Sequence, residues 1–179
     1  ARFPREWDDG REPYRGDNGY LPHPRPRAAY AAMVAELDDH VGRILAALDA
    51  KGVADRTLVL FTSDNGPTHD GGRDKRFHVG GVDTDFFAST GGLRGFKGSV
   101  HEGGIRVPFI ARLPGTIPAG AVCDVPASFA DLFPTLCAAA GLPAPEGLDG
   151  ASLWPLLTGA ARTIESRRPF VWVFPEYGG

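Results

Sequence analysis

An apolar series at helical spacing that leads directly into a short, unbroken apolar run constrains this chain more than any other feature. Tyr30, Val34, Leu37, Val41, Leu45 and Leu48 recur at intervals of three and four residues, which places them on one face of a helix starting near Arg27. Pro24 and Pro26 stand just ahead of it. Gly52 follows Lys51, where glycine ends a helix in the left-handed conformation without a Cβ penalty. The next run, Thr57-Leu58-Val59-Leu60-Phe61-Thr62, is apolar throughout and rich in β-branched residues. A strand that does not alternate has both faces covered, as in a parallel sheet lying between helices. A long helix feeding such a strand predicts a layered α/β fold.

In open α/β sheets ligands bind beyond the carboxyl ends of the strands. The residues there are Ser63-Asp64-Asn65-Gly66. An aspartate and an asparagine on a rigid element offer the oxygen donors that Ca²⁺ or Mg²⁺ takes. Asp-Asn-Gly is equally a turn sequence, since Asn and Gly tolerate positive φ, and the tetrapeptide alone leaves both readings open.

Residues 66–104 are rich in glycine and lack a helical period. A loop of that length is functional or disordered. Its aromatic and charged residues, Phe77, Phe86, Phe87, Phe96, Arg94 and Lys97, argue against plain disorder. The stretch from Leu93 to Pro108 sets Arg94, Lys97 and Arg106 among glycines, which let backbone come close to a bound group. A lysine ammonium can neutralise an oxyanion as a point charge. A solvated basic loop would carry the same residues. His69, five positions after Asp64, is placed to reach the same pocket as a proton donor or oxyanion contact, or to sit on the surface. Neither it nor His78 has zinc-ligand spacing.

Further on, 105–113 reads as a strand with Pro108 at an edge or bulge. Residues 131–140 read as a helix, with Asp131 as its cap, Pro134 in its first turn and Gly141 at its end. One more helical turn is expected at 152–157 and a last strand at 170–174. A length of 179 residues suggests a single domain. The 42% hydrophobic and 23% charged fractions are those of a globular protein. A net charge of −3 without clustered positive charge excludes nucleic acid and anionic membrane surfaces as expected partners. No apolar run approaches the ~18 residues of a membrane span. Cys123 and Cys137 lack metal spacing and read as small buried hydrophobes rather than a bridge. The chain opens at Ala1 without the apolar segment of a signal peptide and stops soon after Phe174, so both ends read as cuts.

Taken together, ordered segments of the chain resemble the arylsulfatase family, the type I sulfatases of the alkaline phosphatase superfamily. They are Ala28-Ala29-Tyr30-Ala31-Ala32-Met33-Val34 with Leu37-Asp38, Phe61-Thr62-Ser63-Asp64-Asn65-Gly66 and Leu93-Arg94-Gly95-Phe96-Lys97-Gly98. Glu102-Gly103-Gly104-Ile105-Arg106-Val107-Pro108, Phe133-Pro134-Thr135-Leu136, Leu148-Asp149-Gly150 and Ser152-Leu153 continue the series. Each piece is weak, but the ordered set, which runs from about Tyr14 onward, is specific.

The resemblance implies part of an alkaline-phosphatase-like α/β sandwich, with a mainly parallel central sheet flanked by helices. It implies hydrolysis of sulfate esters, of sulfated carbohydrate or aryl alcohols, through a formylglycine nucleophile. Asp64 and Asn65 match the later pair of ligands to the family's Ca²⁺ (Mg²⁺ is the other candidate). Lys97 matches the lysine that grips the sulfate oxygens, and Arg94 and His69 are further candidates for substrate contact. The nucleophile motif Cys/Ser-x-Pro-x-Arg is absent: Cys123 precedes Asp-Val-Pro and Cys137 precedes Ala-Ala-Ala. Also absent are the early aspartate pair and the Pro-His segment that supplies a leaving-group histidine. The expectation is therefore a partial catalytic domain over residues 1–179, inactive alone, lacking the N-terminal part with the nucleophile and the C-terminal subdomain. Family placement implies a periplasmic or secreted protein. A phosphodiesterase or phosphonate hydrolase of the same superfamily, a truncated non-catalytic homologue, and a protein completed by a second chain remain alternatives at this stage.

Overall fold

The computed structural model describes residues 3–9, 21–68, 83–164 and 169–174. They fall into two compact units. One comprises Ala1–Leu45, Thr62–Pro108 and Trp172–Gly179, the other Ala46–Phe61 and Phe109–Val171. Helical elements precede, separate and follow two strands, so the chain is α/β.

Helix α1 (Pro26–Ala50) runs over the predicted segment. Pro26 is its first residue rather than a residue ahead of it, a place where a missing N–H costs nothing. The capping group comes from far away in sequence. The carboxylate of Asp8 accepts the backbone N–H groups of Arg27 and Ala28, at 3.0 and 3.2 Å. Gly52, at φ +63°, follows the last turn as expected. The apolar face is only partly covered: Val34 and Leu37 are 48% and 50% exposed, and Met33 is 70% exposed.

The first unit is organised around an aromatic cluster. Trp7 meets Phe3, Phe86 and Phe87, and Phe87 meets Tyr30, with ring centroids 4.9 to 6.0 Å apart. Arg27 lies over the Phe86 ring at 4.0 Å and donates through Nε to Asp83 at 2.8 Å. Asp83 is buried and also accepts the N–H of Phe86, which shapes the turn that follows. A buried carboxylate is tolerable only when paired and hydrogen-bonded in this way.

Strand β1 (Val59–Thr62) pairs with β2 (Phe109–Arg112), and these two make up the one sheet among the described residues. The predicted strand at 57–62 thus begins two residues late. Its four residues are all half-buried, without alternation but without full cover. The pair is antiparallel, so the expected mainly parallel central sheet is not seen among the described residues. The predicted strand at 105–113 is corrected at its start. Glu102–Ile105 form a helical turn, α2, and β2 begins only after Pro108. Proline holds the preceding residue extended, which separates the turn from the strand.

Helix α3 (Leu132–Ala139) and the turn α4 (Trp154–Leu157) lie where expected. Asp131 does not cap α3 with its side chain, however. Its own backbone is already helical (φ −75°, ψ −17°), which is not the extended geometry that lets a capping side chain reach the first turn. Residues 170–174 are not assigned as a strand, and Val171 and Val173 are 79% and 80% exposed, against the burial expected of a sheet element. Both cysteines are free. Cys137 is half-buried, whereas Cys123 is exposed, contrary to its reading as a buried hydrophobe. Among the described residues no helix is long and apolar enough to cross a membrane.

Candidate functional site

The candidate residues belong to three backbone segments of the first unit, and glycines are what allow those segments to meet. After β1 the chain turns at Ser63, whose Oγ donates to the carbonyl of Asn65 at 3.0 Å. Asp64 is exposed, Asn65 half-buried and Gly66 buried. The N–H of Gly66 donates to the Gly104 carbonyl at 2.8 Å, and the N–H of Lys97 donates to the Pro67 carbonyl at 2.9 Å. A third bond, from the N–H of Gly103 to the Arg94 carbonyl at 2.7 Å, closes the set.

These contacts leave no room for side chains. A Cβ on Gly66 would overlap the Gly103 carbonyl oxygen, and one on Gly103 would overlap the Gly95 carbonyl and stand 2.7 Å from that of Arg94. Gly95 sits at φ +86°, a conformation that costs an L-residue roughly 1–2 kcal/mol. Thr84, 2% exposed, adds a side-chain tie by donating from Oγ1 to the Thr68 carbonyl at 2.8 Å.

The structure thus brings Asp64, Asn65, Arg94 and Lys97 into one substructure. The side chains of Asp64, Arg94 and Lys97 are exposed, and none of the three has a hydrogen-bond or ion-pair partner among the described residues. His69 lies outside the described residues. Asp64 and Asn65 offer a carboxylate and an amide oxygen, a donor set suited to a hard divalent cation. Among the described residues no group of three or more His, Cys, Asp and Glu side chains is placed to hold a metal ion, so this pair is an incomplete ligand set here.

Sequence reasoning missed the framework. It read the glycines between Leu93 and Pro108 as room for a bound group, whereas at Gly103 and Gly104 the room is filled by neighbouring backbone, as it is at Gly66. The Glu102-Gly103-Gly104 run was the available signal, because two adjacent glycines inside a helical turn need a packing reason. The Arg27–Asp83 pair had no signal, since its members are 56 positions apart.

A family model described as Sulfatase matches residues 1–142. The chain is 45% identical over 141 residues to steryl-sulfatase of Mus musculus, covering 76% of this chain and 21% of that protein. It is 40% identical over 152 residues to arylsulfatase A of Homo sapiens, covering 84% of this chain and 27% of that one. The chain therefore spans about a quarter of the length of the curated relatives it matches. Among solved structures it resembles Ps i-CgsB in complex with k-i-k-neocarrahexaose (TM-score 0.58, 37% identity, 73% of this chain and 26% of that one). It also resembles the PsFucS1 sulfatase from Pseudoalteromonas sp. (TM-score 0.56, 34% identity, 74% and 24%). A third likeness is to a protein solved with its substrate D-glucosamine-2-N,6-O-disulfate (TM-score 0.58, 28% identity, 82% and 26%).

Proposed function

The chain belongs to the sulfatase family, and from that premise we propose that the whole protein is a sulfuric ester hydrolase to which this chain contributes part of the metal site and a sulfate contact. One observation carries the reading. Two backbone hydrogen bonds, Gly66 to Gly104 and Lys97 to Pro67, hold the Asp64-Asn65 turn against the segment bearing Arg94 and Lys97. An exposed carboxylate and two exposed cations with no described partner then remain for a ligand that carries both a metal and an anionic group.

In this reading Asp64 and Asn65 hold Ca²⁺, with Mg²⁺ as the other candidate. Their oxygen donors fit such an ion, and the remaining ligands come from outside this chain. The ion, when bound, would offset negative charge on the sulfate oxygens. Lys97 would contact the same oxygens and stabilise the charge that grows there as the ester bond breaks, which a fixed cation does without reorganising. Arg94, close in sequence, would bind the sulfate or the adjoining group, and His69 would supply a further contact. The nucleophile, a formylglycine by family resemblance, would lie outside this chain, as would the mainly parallel central sheet flanked by helices. Residues 1–179 form a partial catalytic domain that is inactive alone. Sulfated carbohydrate is the favoured substrate class, because one structural neighbour is solved with a sulfated glucosamine as its substrate. Periplasmic or secreted placement goes with this reading.

The test is turnover by the intact gene product. An aryl sulfate should be hydrolysed in preference to an aryl phosphodiester. Lys97→Ala should lower turnover of the sulfate by at least ~10², the scale of removing one charge-stabilising donor. Unchanged turnover in that variant, or a preference for the phosphodiester, would sink the assignment.

A further inference from the structure

We infer that Gly66, Gly103 and Gly104 are positioning residues: they stack backbone on backbone so that Lys97 is held at a set position relative to the Asp64-Asn65 pair. The inference rests on the reading of Lys97 as the sulfate contact and goes beyond it, because none of the three glycines has a side chain to touch a ligand.

The geometry is a closed loop of short contacts. Gly66 faces the Gly103 carbonyl with no space for a methyl group, while its N–H is bonded to the next carbonyl, that of Gly104. Gly103 in turn faces the carbonyls of Gly95 and Arg94, and donates its N–H to the latter. Gly104 faces the carbonyls of Ser99 and Phe96. The loop returns through Lys97, whose N–H is bonded to Pro67, the residue after Gly66. Each contact is between main chains, which have two soft dihedrals per residue and no rotamers to change. Asp64 and Asn65 immediately precede one side of the loop, and Arg94 and Lys97 lie on the other.

A methyl group on Gly66 must therefore displace the Gly103 carbonyl. That shift passes to Arg94 through the 2.7 Å bond, and to Lys97 through the segment between Gly95 and Ser99. Misplacing a catalytic or binding group by about 1 Å can cost on the order of 10² in rate. The effect of the substitution should thus run through Lys97.

That dependence is what the experiment reads. Binding of inorganic sulfate is measured by titration calorimetry on the intact Ca²⁺-loaded protein for the parent, Gly66→Ala, Lys97→Ala and the double variant, with unfolding followed alongside. Gly66→Ala should weaken sulfate roughly tenfold, by displacing a fixed charge from its partner. In the double variant that loss should vanish, because two changes acting through one contact are not additive. A glycine that merely supported the fold would weaken sulfate by the same factor whether or not Lys97 is present, and that result would overturn the inference. So would a folded Gly66→Ala protein with unchanged sulfate affinity. If Lys97→Ala alone leaves sulfate affinity intact, it is the functional reading that fails. If it weakens sulfate and Gly66→Ala acts independently, only the positioning role fails.

Should Gly66→Ala not fold, Ser99→Ala takes its place in the same cycle. The Ser99 Oγ accepts the N–H of His101 at 3.1 Å, and its loss loosens the same turn more gently. A sulfate affinity lowered about threefold, through loss of one ordinary hydrogen bond, and abolished as an effect in the Lys97→Ala background supports the role. An unchanged affinity, or an effect that multiplies with that of Lys97→Ala, overturns it.

Discussion

Two regions of this chain are fastened by opposite means. Around 64–68 and 94–104, main chain packs on main chain, and the polar side chains of Asp64, Arg94 and Lys97 point outward unpaired among the described residues. Between 128 and 158 two polar side chains turn inward. Asp131 and Thr135 are 1% and 0% exposed. The Asp131 carboxylate accepts the N–H of Ser128 at 2.7 Å and that of Ala151 at 2.8 Å. The Thr135 hydroxyl donates to the Asp131 carbonyl and accepts the N–H of Leu153 at 2.7 Å. One carboxylate and one hydroxyl thereby tie the turn before α3, α3 itself and the segment leading to α4. The contrast teaches where chemistry can reside. A region held by glycines keeps its charged groups available to ligands, while a carboxylate spent on fastening, as Asp131 is, has no bond left to offer one.

The sharpest way to break this contrast is to remove the inward carboxylate. Asp131→Ala leaves two backbone N–H groups without their acceptor, and bonds to a charged group are worth about 1.5–3 kcal/mol each. A loss of about 3 kcal/mol in stability is expected from urea unfolding, allowing for partial rehydration of the freed groups. Sulfate affinity of the folded protein should stay within a factor of two. A large loss of sulfate affinity would show that the two regions are not functionally separate. Thr135→Val keeps the shape and removes the hydroxyl. The N–H of Leu153 then has no acceptor, at a cost of about 1–2 kcal/mol, again with sulfate affinity unaltered. If this variant is as stable as the parent, the hydroxyl is not a fastener and the comparison loses half its basis.

What the sequence revealed follows the same division. Local periodicity was legible: α1, α3 and the turn at α4 lie where spacing, Pro134, Gly52 and Gly141 place them. The ordered motifs pointed to Asp64, Asn65 and Lys97 as a group. What stayed hidden were contacts between distant positions, which leave no mark on nearby spacing. Asp131 was expected to cap α3, but it serves Ser128 and Ala151, the latter 20 positions away. Asp8 caps α1 from 19 positions before Arg27. Residues 170–174 have the composition of a strand, but a strand is a property of ladder pairing that composition does not specify, and they are not assigned as one. Ile105 was assigned to a strand from its neighbours, and the helical turn it joins is fixed by packing at Gly103 and Gly104.

The smallest effect expected is also the one that tests whether these glycines matter for their place or only for their kind. Gly42 lies in the middle of α1, exposed, and a Cβ there would meet nothing within 4 Å. In such a position glycine only adds backbone entropy to the unfolded chain, so Gly42→Ala should stabilise by about 0.5–1 kcal/mol. The urea midpoint should rise, with turnover and sulfate affinity unchanged. The same substitution at Gly66 is expected to act in the opposite direction on sulfate binding, so the pair holds the chemistry constant and varies only the surroundings. If Gly42→Ala instead lowers the midpoint, some part of the intact protein closes over that side of α1. The helix would then join the glycine-held region as a packed element rather than a solvated one.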